Sequence, residues 1–194
     1  MKQTIYYVTT NPGKFDEVSR YIKRFEPSID LQQFSADIEE IQTMDQQAIA
    51  IDKAKKAWNL LKKPLLLDDA AMYFDKYDRF PGTLSKFVSQ GIGFDGLKKL
   101  VDEGDKAHFL LYMIYVEGPE QLNIFEGRCD GTIAKPEHFD ADPHRPYDAL
   151  FIPEGATVTK AKMYNTLEDH SQFFYRLKAL KKFLYWYKNR AQKQ

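Results

Sequence analysis

Cysteine is almost absent from this chain: Cys129 is the only one in 194 residues. A lone thiol excludes a disulfide framework and a multi-cysteine metal site, and it reads as a small, semi-buried residue. Net charge is missing too. Lys and Arg number 28 and so do Asp and Glu, which argues against a broad electrostatic footprint for duplex nucleic acid but leaves room for a local basic pocket. No apolar run is long enough to span a bilayer. Met1-Lys2-Gln3-Thr4 lacks the apolar core and cleavage site of a signal peptide. These absences predict a cytoplasmic protein with neither a nucleic-acid nor a membrane partner. Internal repeats and low-complexity segments are lacking as well.

What is present suffices for a core. The chain is 43% hydrophobic, with 12 Tyr and 14 Phe, and its length suits one domain or two lobes sharing a core. Thr4 to Thr9 reads as a buried strand, Asn11-Pro12-Gly13 as a turn, and Lys14 to Phe25 as a helix with Phe15, Val18, Ile22 and Phe25 at helical spacing. Ile29 to Phe34 is a second strand, and this order opens an α/β sheet. Met44 to Leu61 predicts a helix with Met44, Ala48, Ile51, Trp58 and Leu61 on one face. Leu65-Leu66-Leu67 is a short strand that runs into Asp68-Asp69. Leu84 to Val88 and Phe94 to Val101 read as short helices. Ala107 to Val116, Leu122 to Arg128 and Thr132 to Ala134 suggest a β-meander, with a turn at Glu117-Gly118-Pro119. His138 to Pro146 reads as a loop and Ala149 to Ile152 as a last strand. A final helix runs from about Glu168 to Tyr187, its stripe formed by Phe173, Leu177, Leu180, Leu184 and Tyr187, with Lys178, Lys181, Lys182 and Lys188 on the solvated side.

Three places carry candidate chemistry. The turn Thr9-Thr10-Asn11-Pro12-Gly13-Lys14 joins a strand to a helix, where backbone N–H groups and the helix dipole favour an anion. Thr9, Thr10 and Asn11 add donors, Lys14 adds charge, and Gly13 permits close approach; the competing reading is an ordinary helix start capped by Asn11. It is no Walker loop, lacking the Gly-Lys-Ser/Thr ending. Asp68-Asp69 places two carboxylates where a buried strand ends, the position at which open α/β sheets hold ligands, and paired oxygens suit Mg²⁺. The alternative is a solvated strand end. Glu39-Glu40 is a solvated acidic pair unless it faces Asp69. In Arg145-Pro146-Tyr147-Asp148 a ring and a carboxylate offer base stacking and recognition of a purine N–H edge, against strand-edge packing and a turn. His170 is a lone helix histidine, and Tyr6-Tyr7 reads as core.

Taken in order along the chain, these segments resemble the inosine triphosphate pyrophosphatase family, enzymes that clear non-standard purine nucleotides. Thr9 to Lys14 with Glu17 is similar to the opening Thr/Ser-x-Asn-x-x-Lys-x-x-Glu signature. Glu40-Ile41-Gln42 resembles the metal-binding Glu segment, Lys53-Ala54 a Lys-Ala pair, and Leu67-Asp68-Asp69 the acidic pair. Phe80-Pro81-Gly82 with Ser85 resembles the Pro-Gly-x-x-Ser turn, Phe125 to Arg128 with Gly131 a Gly-bearing hairpin, and Tyr147 to Gly155 the aromatic-Asp stretch. The resemblance implies a single α/β domain over 1–194, a mixed central sheet with flanking helices and two lobes around a nucleotide-binding cleft. It implies an Mg²⁺-dependent hydrolase acting on ITP-, dITP- or XTP-type triphosphates, assembled as a homodimer through the segment around Phe80 to Gly96. Glu40 and Asp69 would hold the metal, and Asp69 would be general base with Asp68 as supporting carboxylate. Thr9, Thr10, Asn11, Gly13 and Lys14 would bind phosphates, and Lys53, Arg145, Tyr147, Asp148 and His170 the rest of the substrate.

The departures fall on the base and sugar side. Ala70 stands where the family has Ser or Thr, Arg145-Pro146 replaces Phe-Gly, and no Arg lies beside His170 to complete a Ser-His-Arg triplet. Three other readings therefore stay open: the same chemistry on another nucleobase, a nucleotide-binding protein without efficient turnover, and a plain interaction domain.

Overall fold

A computed structural model describes residues 2–135, 145–164 and 170–190. Among them, β1 (Gln3–Val8), α1 (Pro12–Phe25) and β2 (Ile29–Phe34) form the expected strand–helix–strand opening, followed by α2 (Gln46–Leu61) and β3 (Leu65–Phe74). Next come β4 (Pro81–Gly82), α3 (Ser85–Lys98), β5 (Lys106–Gly118) and β6 (Gln121–Ile133). The chain closes with α4 (Pro146–Leu150), β7 (Phe151–Pro153), α5 (Lys160–Met163), a 3-10 turn at Ser171–Phe173 and α6 (Tyr175–Asn189). The sheet has the order β2-β1-β3-β5-β6-β7, with β4 paired to β3. β1 is parallel to β2 and β3, whereas β4 and β7 are antiparallel to β3 and β6, so the sheet is mixed.

The chain divides into two compact units. The first contains residues up to Asp69, Leu111–Gly127 and those from Arg176 on; the second contains Ala70–Leu110 and Arg128–Tyr175. In the first unit Val8, Leu65, Leu67, Ile114 and Val116 bury against Ala50, Ala54 and Ala57 of α2. Tyr7 pairs with Leu66, and Asp68, two residues on from Leu66, shares that residue's side of the sheet. Asp68 there meets α1 and α6, whereas Asp69 points the other way, toward α2. The second unit has its own core, in which Met72, Phe74, Leu97, Phe109, Ile133, Leu150 and Phe151 pack together.

Several expectations need correction. β3 does not stop at Leu67 but continues to Phe74, because Met72 and Tyr73 pair with Gly82 and Pro81. Asp68 and Asp69 are thus mid-strand neighbours on opposite faces. The buried face of α2 is Ile49, Ala50, Ala54 and Ala57, since small side chains let the helix approach the sheet closely; Met44 precedes the helix and is exposed. The two short helices are present as expected and run together as α3, separated only at Gly93, whose φ of 64° is not helical; the first extends beyond Val88. The meander's last two strands are the single strand β6, and β5 runs through Gly118. Tyr147 and Asp148 lie on the short helix α4 rather than a strand edge, and β7 begins only at Phe151. Lys188 is not merely solvated, for its ammonium donates to the Phe25 carbonyl at 2.9 Å and lies 3.4 Å from Glu26. α6 starts at Tyr175; most of the His138 to Pro146 loop, and Asn165 to Asp169, lie outside the described residues.

Two glycines are sterically required. Gly82 has φ 51°, and a Cβ there would sit 2.4 Å from the Arg79 carbonyl oxygen. Gly131 packs so closely that a Cβ would meet the Ile152 carbonyl oxygen at 2.2 Å. The Pro-Gly-x-x-Ser turn is closed by Ser85, whose hydroxyl accepts from the Met72 amide at 3.1 Å and donates to the Gly82 carbonyl at 2.6 Å.

Candidate active site

The first unit gathers the charged candidates. Asn11 caps α1: its side-chain oxygen accepts from the Gly13 amide at 2.9 Å and the Lys14 amide at 3.3 Å, and its own amide donates to the Thr9 hydroxyl at 3.1 Å. The helix-cap reading of this turn is therefore realised, and Thr10, Asn11 and Gly13 stand exposed around it. Lys14 extends away from the turn to Asp68, Nζ to Oδ1 2.9 Å. Arg176 of α6 approaches the same carboxylate, Nε to Oδ2 2.7 Å, and reaches Glu17 with Nη1 at 2.7 Å. The Tyr7 hydroxyl donates to Asp68 Oδ2 as well. Glu17, Lys14, Arg176, Tyr7 and Asp68 thus form one network around a carboxylate that is 1% exposed.

The neighbouring carboxylate lives differently. The Asp69 carbonyl accepts from Gln46 Nε2 at 3.2 Å, and Lys53, about two turns further along α2, holds Glu40 at 2.5 Å. Glu40 and Lys53 both act electrostatically on Asp69.

These surroundings push the two carboxyls apart. Burial would raise Asp68, but the charges of Arg176 and Lys14, with hydrogen bonds from Lys14 and Tyr7, hold it far below the usual carboxylate range. Asp69 is raised, mainly by burial and also by Glu40, with Lys53 and Lys14 opposing. Burial also drives Tyr7 well above its ordinary value, helped by the Asp68 charge, so it stays a neutral donor. Lys53 is raised despite burial, through its hydrogen bond and charge pairing with Glu40. Adjacent carboxyls with opposed shifts are the pattern by which one acid is kept as a fixed charge and the other made basic enough to take a proton.

Metal capacity can be judged from the donors. Among the described residues no group of three or more His, Cys, Asp or Glu side chains is arranged to hold an ion. Glu40 and Asp69, with Lys53 beside both, supply at most two carboxylates. That donor set fits Mg²⁺, which takes one or two carboxylates and completes its shell with water and substrate phosphate oxygens.

The second unit carries a cavity of about 360 Å³, lined by Ala70, Met72, Ser85, Phe109, Arg145, Tyr147, Asp148 and Tyr175 among others. The Tyr147 hydroxyl donates to the Ser85 carbonyl at 2.7 Å, which fixes its ring in the wall. Phe109 and Tyr175 stack at 4.9 Å. Asp148 is paired with Lys160, Nζ to Oδ2 3.0 Å. Arg145 lays its guanidinium 3.9 Å from the centre of the Tyr164 ring. His170 is half-buried with its ring 6.2 Å from Phe173, and it is not among the described residues lining the cavity.

Two residues absent from the sequence-based set stand out. Arg176 supplies an Arg at the start of the last helix, preceded by Phe174-Tyr175 and six positions beyond His170, beside which the triplet's Arg is expected. Its only sequence signal was a cation beside Leu177 on an apolar stripe. Lys160, 1% exposed, gave no signal of its own.

Fold and site together define a class, a mixed α/β protein with two differently held buried carboxylates in one unit and an aromatic-walled cavity in the other. The chain belongs to the Ham1 family, whose model matches residues 5–186. It is 35% identical over 185 residues to the dITP/XTP pyrophosphatase of Thermococcus kodakarensis, covering 94% of this chain and 96% of that protein. It is 33% identical over 183 residues to the inosine triphosphate pyrophosphatase of Yarrowia lipolytica, covering 92% and 93%. Among solved structures, the Staphylococcus aureus Ham1 protein shares the fold with a TM-score of 0.76 at 20% identity, over 97% of this chain and 100% of that one. The nucleoside-triphosphatase, or dITP/XTP pyrophosphatase, of Mycobacterium abscessus gives 0.68 at 26% identity, over 93% and 97%.

Proposed function

We propose that this protein hydrolyses non-standard purine nucleoside triphosphates of the ITP, dITP and XTP type to the monophosphate and pyrophosphate, a nucleotide-pool cleansing activity. The observation that carries the reading is the placement of Asp68 and Asp69 on opposite faces of β3, one held by Tyr7, Lys14 and Arg176, the other on the α2 side with Gln46 on its carbonyl and the Lys53–Glu40 pair acting on its carboxyl. Membership in the Ham1 family and the names of its pyrophosphatase relatives support it.

In this mechanism Asp69 accepts the proton of the water that attacks the α-phosphorus, and pyrophosphate departs. Asp68 is a supporting carboxylate, which holds Lys14 extended and ties β3 to α6. Lys14 and the turn from Thr9 to Gly13 neutralise charge on the departing phosphates, and the Gly13 and Lys14 amides exchange the Asn11 cap for phosphate oxygens. Lys53 binds phosphate from the α2 side. Mg²⁺ held by Glu40 and Asp69 would supply electrostatic stabilisation of the transition state. In the second unit Tyr147 and Asp148 take the base, with Arg145 at its margin; nothing in the described cavity lining supports the expected role of His170. Further proposals are a homodimer and a cytoplasmic setting, with no nucleic-acid or membrane partner. No described helix is long and apolar enough to cross a membrane.

The test is pyrophosphate release from ITP, dITP, XTP, ATP and GTP, each with and without Mg²⁺. Efficient turnover of the first three with Mg²⁺ is expected. No turnover of any nucleotide would sink the reading, and turnover confined to ATP and GTP would overturn the substrate class.

A further inference from the structure

Lys160 is among the largest fully buried side chains of the protein, yet it is a cation. Its ammonium lies 3.0 Å from Asp148 Oδ2 and donates to the Tyr164 hydroxyl at 2.6 Å. Four rings surround it, with centroids at 4.8 Å for Tyr164, 4.9 Å for Tyr175, 5.2 Å for Phe174 and 5.3 Å for Phe109. All are within the range at which an aromatic face attracts a cation. Asp148 is itself 9% exposed at its side chain.

A buried ion pair of this kind is a poor way to gain stability. Desolvation of both charges offsets their attraction, and apolar residues of the same volume commonly serve the fold as well or better. The position of the pair offers another reason for it. Asp148, Phe109 and Tyr175 all line the 360 Å³ cavity, so Lys160 stands directly behind the part of its wall that carries a carboxylate.

We infer that Lys160 is a positioning residue that sets nucleobase choice by fixing Asp148 as an acceptor-only group in the cavity wall; the inference rests on the cavity taking the base. One carboxylate oxygen is committed to the ammonium. A base edge meets only the remaining lone pairs, because an ionised carboxylate has no donor. Hypoxanthine and xanthine present an N1–H to such a group. Adenine presents a bare N1, and two acceptors facing each other in a buried site are strongly disfavoured. Without Lys160 the carboxylate loses both its compensating charge and the contact that aims it, and discrimination between the two edges falls.

The test uses the full-length protein and reads base choice separately from chemistry. Titration calorimetry gives the Kd ratio of AMP to IMP, and pyrophosphate release gives the ratio of kcat/KM for ITP to ATP. Inhibition by pyrophosphate, which has no base, serves as control. In Lys160→Met both ratios are expected to fall at least tenfold, mostly through weaker IMP binding and a higher KM for ITP. Pyrophosphate inhibition should stay within twofold. A folded Lys160→Met protein with wild-type ratios overturns the inference, as does a wild-type protein that binds AMP as well as IMP. Should Lys160→Met not fold, Lys160→Gln, which removes the charge but keeps a polar donor of similar volume, takes its place: collapsed ratios support the role, retained ratios refute it. A wild-type protein without turnover that still prefers IMP, and loses the preference in the variant, would sink the proposed hydrolysis while leaving Lys160 in this role.

Discussion

At the scale of single residues, the two carboxylates of β3 differ because a strand sends successive side chains to opposite faces. Asp68 meets Tyr7, Lys14 and Arg176; Asp69 meets the α2 side with Lys53 and Gln46. Exchanging Asp69 for Asn is expected to cut pyrophosphate release by about 10²–10⁴-fold, the usual contribution of a general base, while far-UV circular dichroism stays unchanged. Near-normal turnover would remove Asp69 from that role. Arg176 makes a different prediction. Removing Arg176 leaves the buried Asp68 with Lys14 as its one remaining cation and takes the Arg from Glu17, so Arg176→Met should cost about 3 kcal/mol in urea unfolding. Asp68→Asn/Arg176→Met should cost distinctly less, since the fully buried carboxylate is then neutral, while Lys14 and Glu17, which each lose a partner, keep contact with solvent. Equal losses in the single and double variants would show that the Arg packs rather than compensates. Neither Arg176 nor Lys160 was legible in the sequence, and the reason is physical. Buried cations are tolerated only beside carboxylates, and those of Arg176 lie 108 and 159 positions away. No local pattern encodes such a partnership. Asn11 was legible because a cap needs only the next three residues.

At the scale of elements, β1, α1 and β2 could be read directly, since alternation and helical spacing are local and nothing distant overrides them. β3 could not be, because two adjacent acids imitate a strand end. Only Lys14, Arg176 and the α2 residues explain why they sit within the sheet. The α2 pattern marks Ile51, Trp58 and Leu61, which pack half-buried against this core, but not Ala50, Ala54 and Ala57 at its centre, because large apolar residues outweigh alanines in the pattern although alanines fit the close approach. A loop-to-strand junction gives a pH-dependent prediction. Asp105 accepts from the Asp102 amide at 2.8 Å and pairs with Lys76 at 2.7 Å, while its carbonyl accepts from the Ile133 amide at 2.9 Å at the end of β6. The Asp102 amide first, then Lys76, lower the Asp105 carboxyl below its ordinary value. The unfolded chain then binds the proton more readily, so this stabilisation is fully present above the unfolded carboxyl value of about 3.9 and disappears as pH falls through the lower folded value. Asp105→Ala should therefore destabilise by about 1 kcal/mol at neutral pH, with the gap to wild type closing in acid. A pH-independent gap would assign the loss to packing.

At the scale of the whole molecule, the charge balance leaves association to apolar contacts. Exposed large apolar side chains scattered singly are ordinary, but α3 carries Phe87 at 62% and Ile92 at 45% exposure. They lie on the same element, shortly before its break at Gly93, in the segment through which family resemblance implies pairing. A twofold homodimer uses the same patch on both copies, so one substitution strikes the interface twice. Sedimentation equilibrium at micromolar concentration is expected to give twice the chain mass of 22.7 kDa. Phe87→Glu should return the monomer mass, because a like pair of carboxylates would be buried at the twofold contact. As an exposed surface change it should alter the intrinsic stability of the chain by no more than about 0.5 kcal/mol. Melting would then lose its dependence on protein concentration, since a dimer gains stability by mass action and a monomer does not. A wild-type protein already at 22.7 kDa would remove the dimer from the proposal, and a Phe87→Glu protein still at twice that mass would place the interface elsewhere.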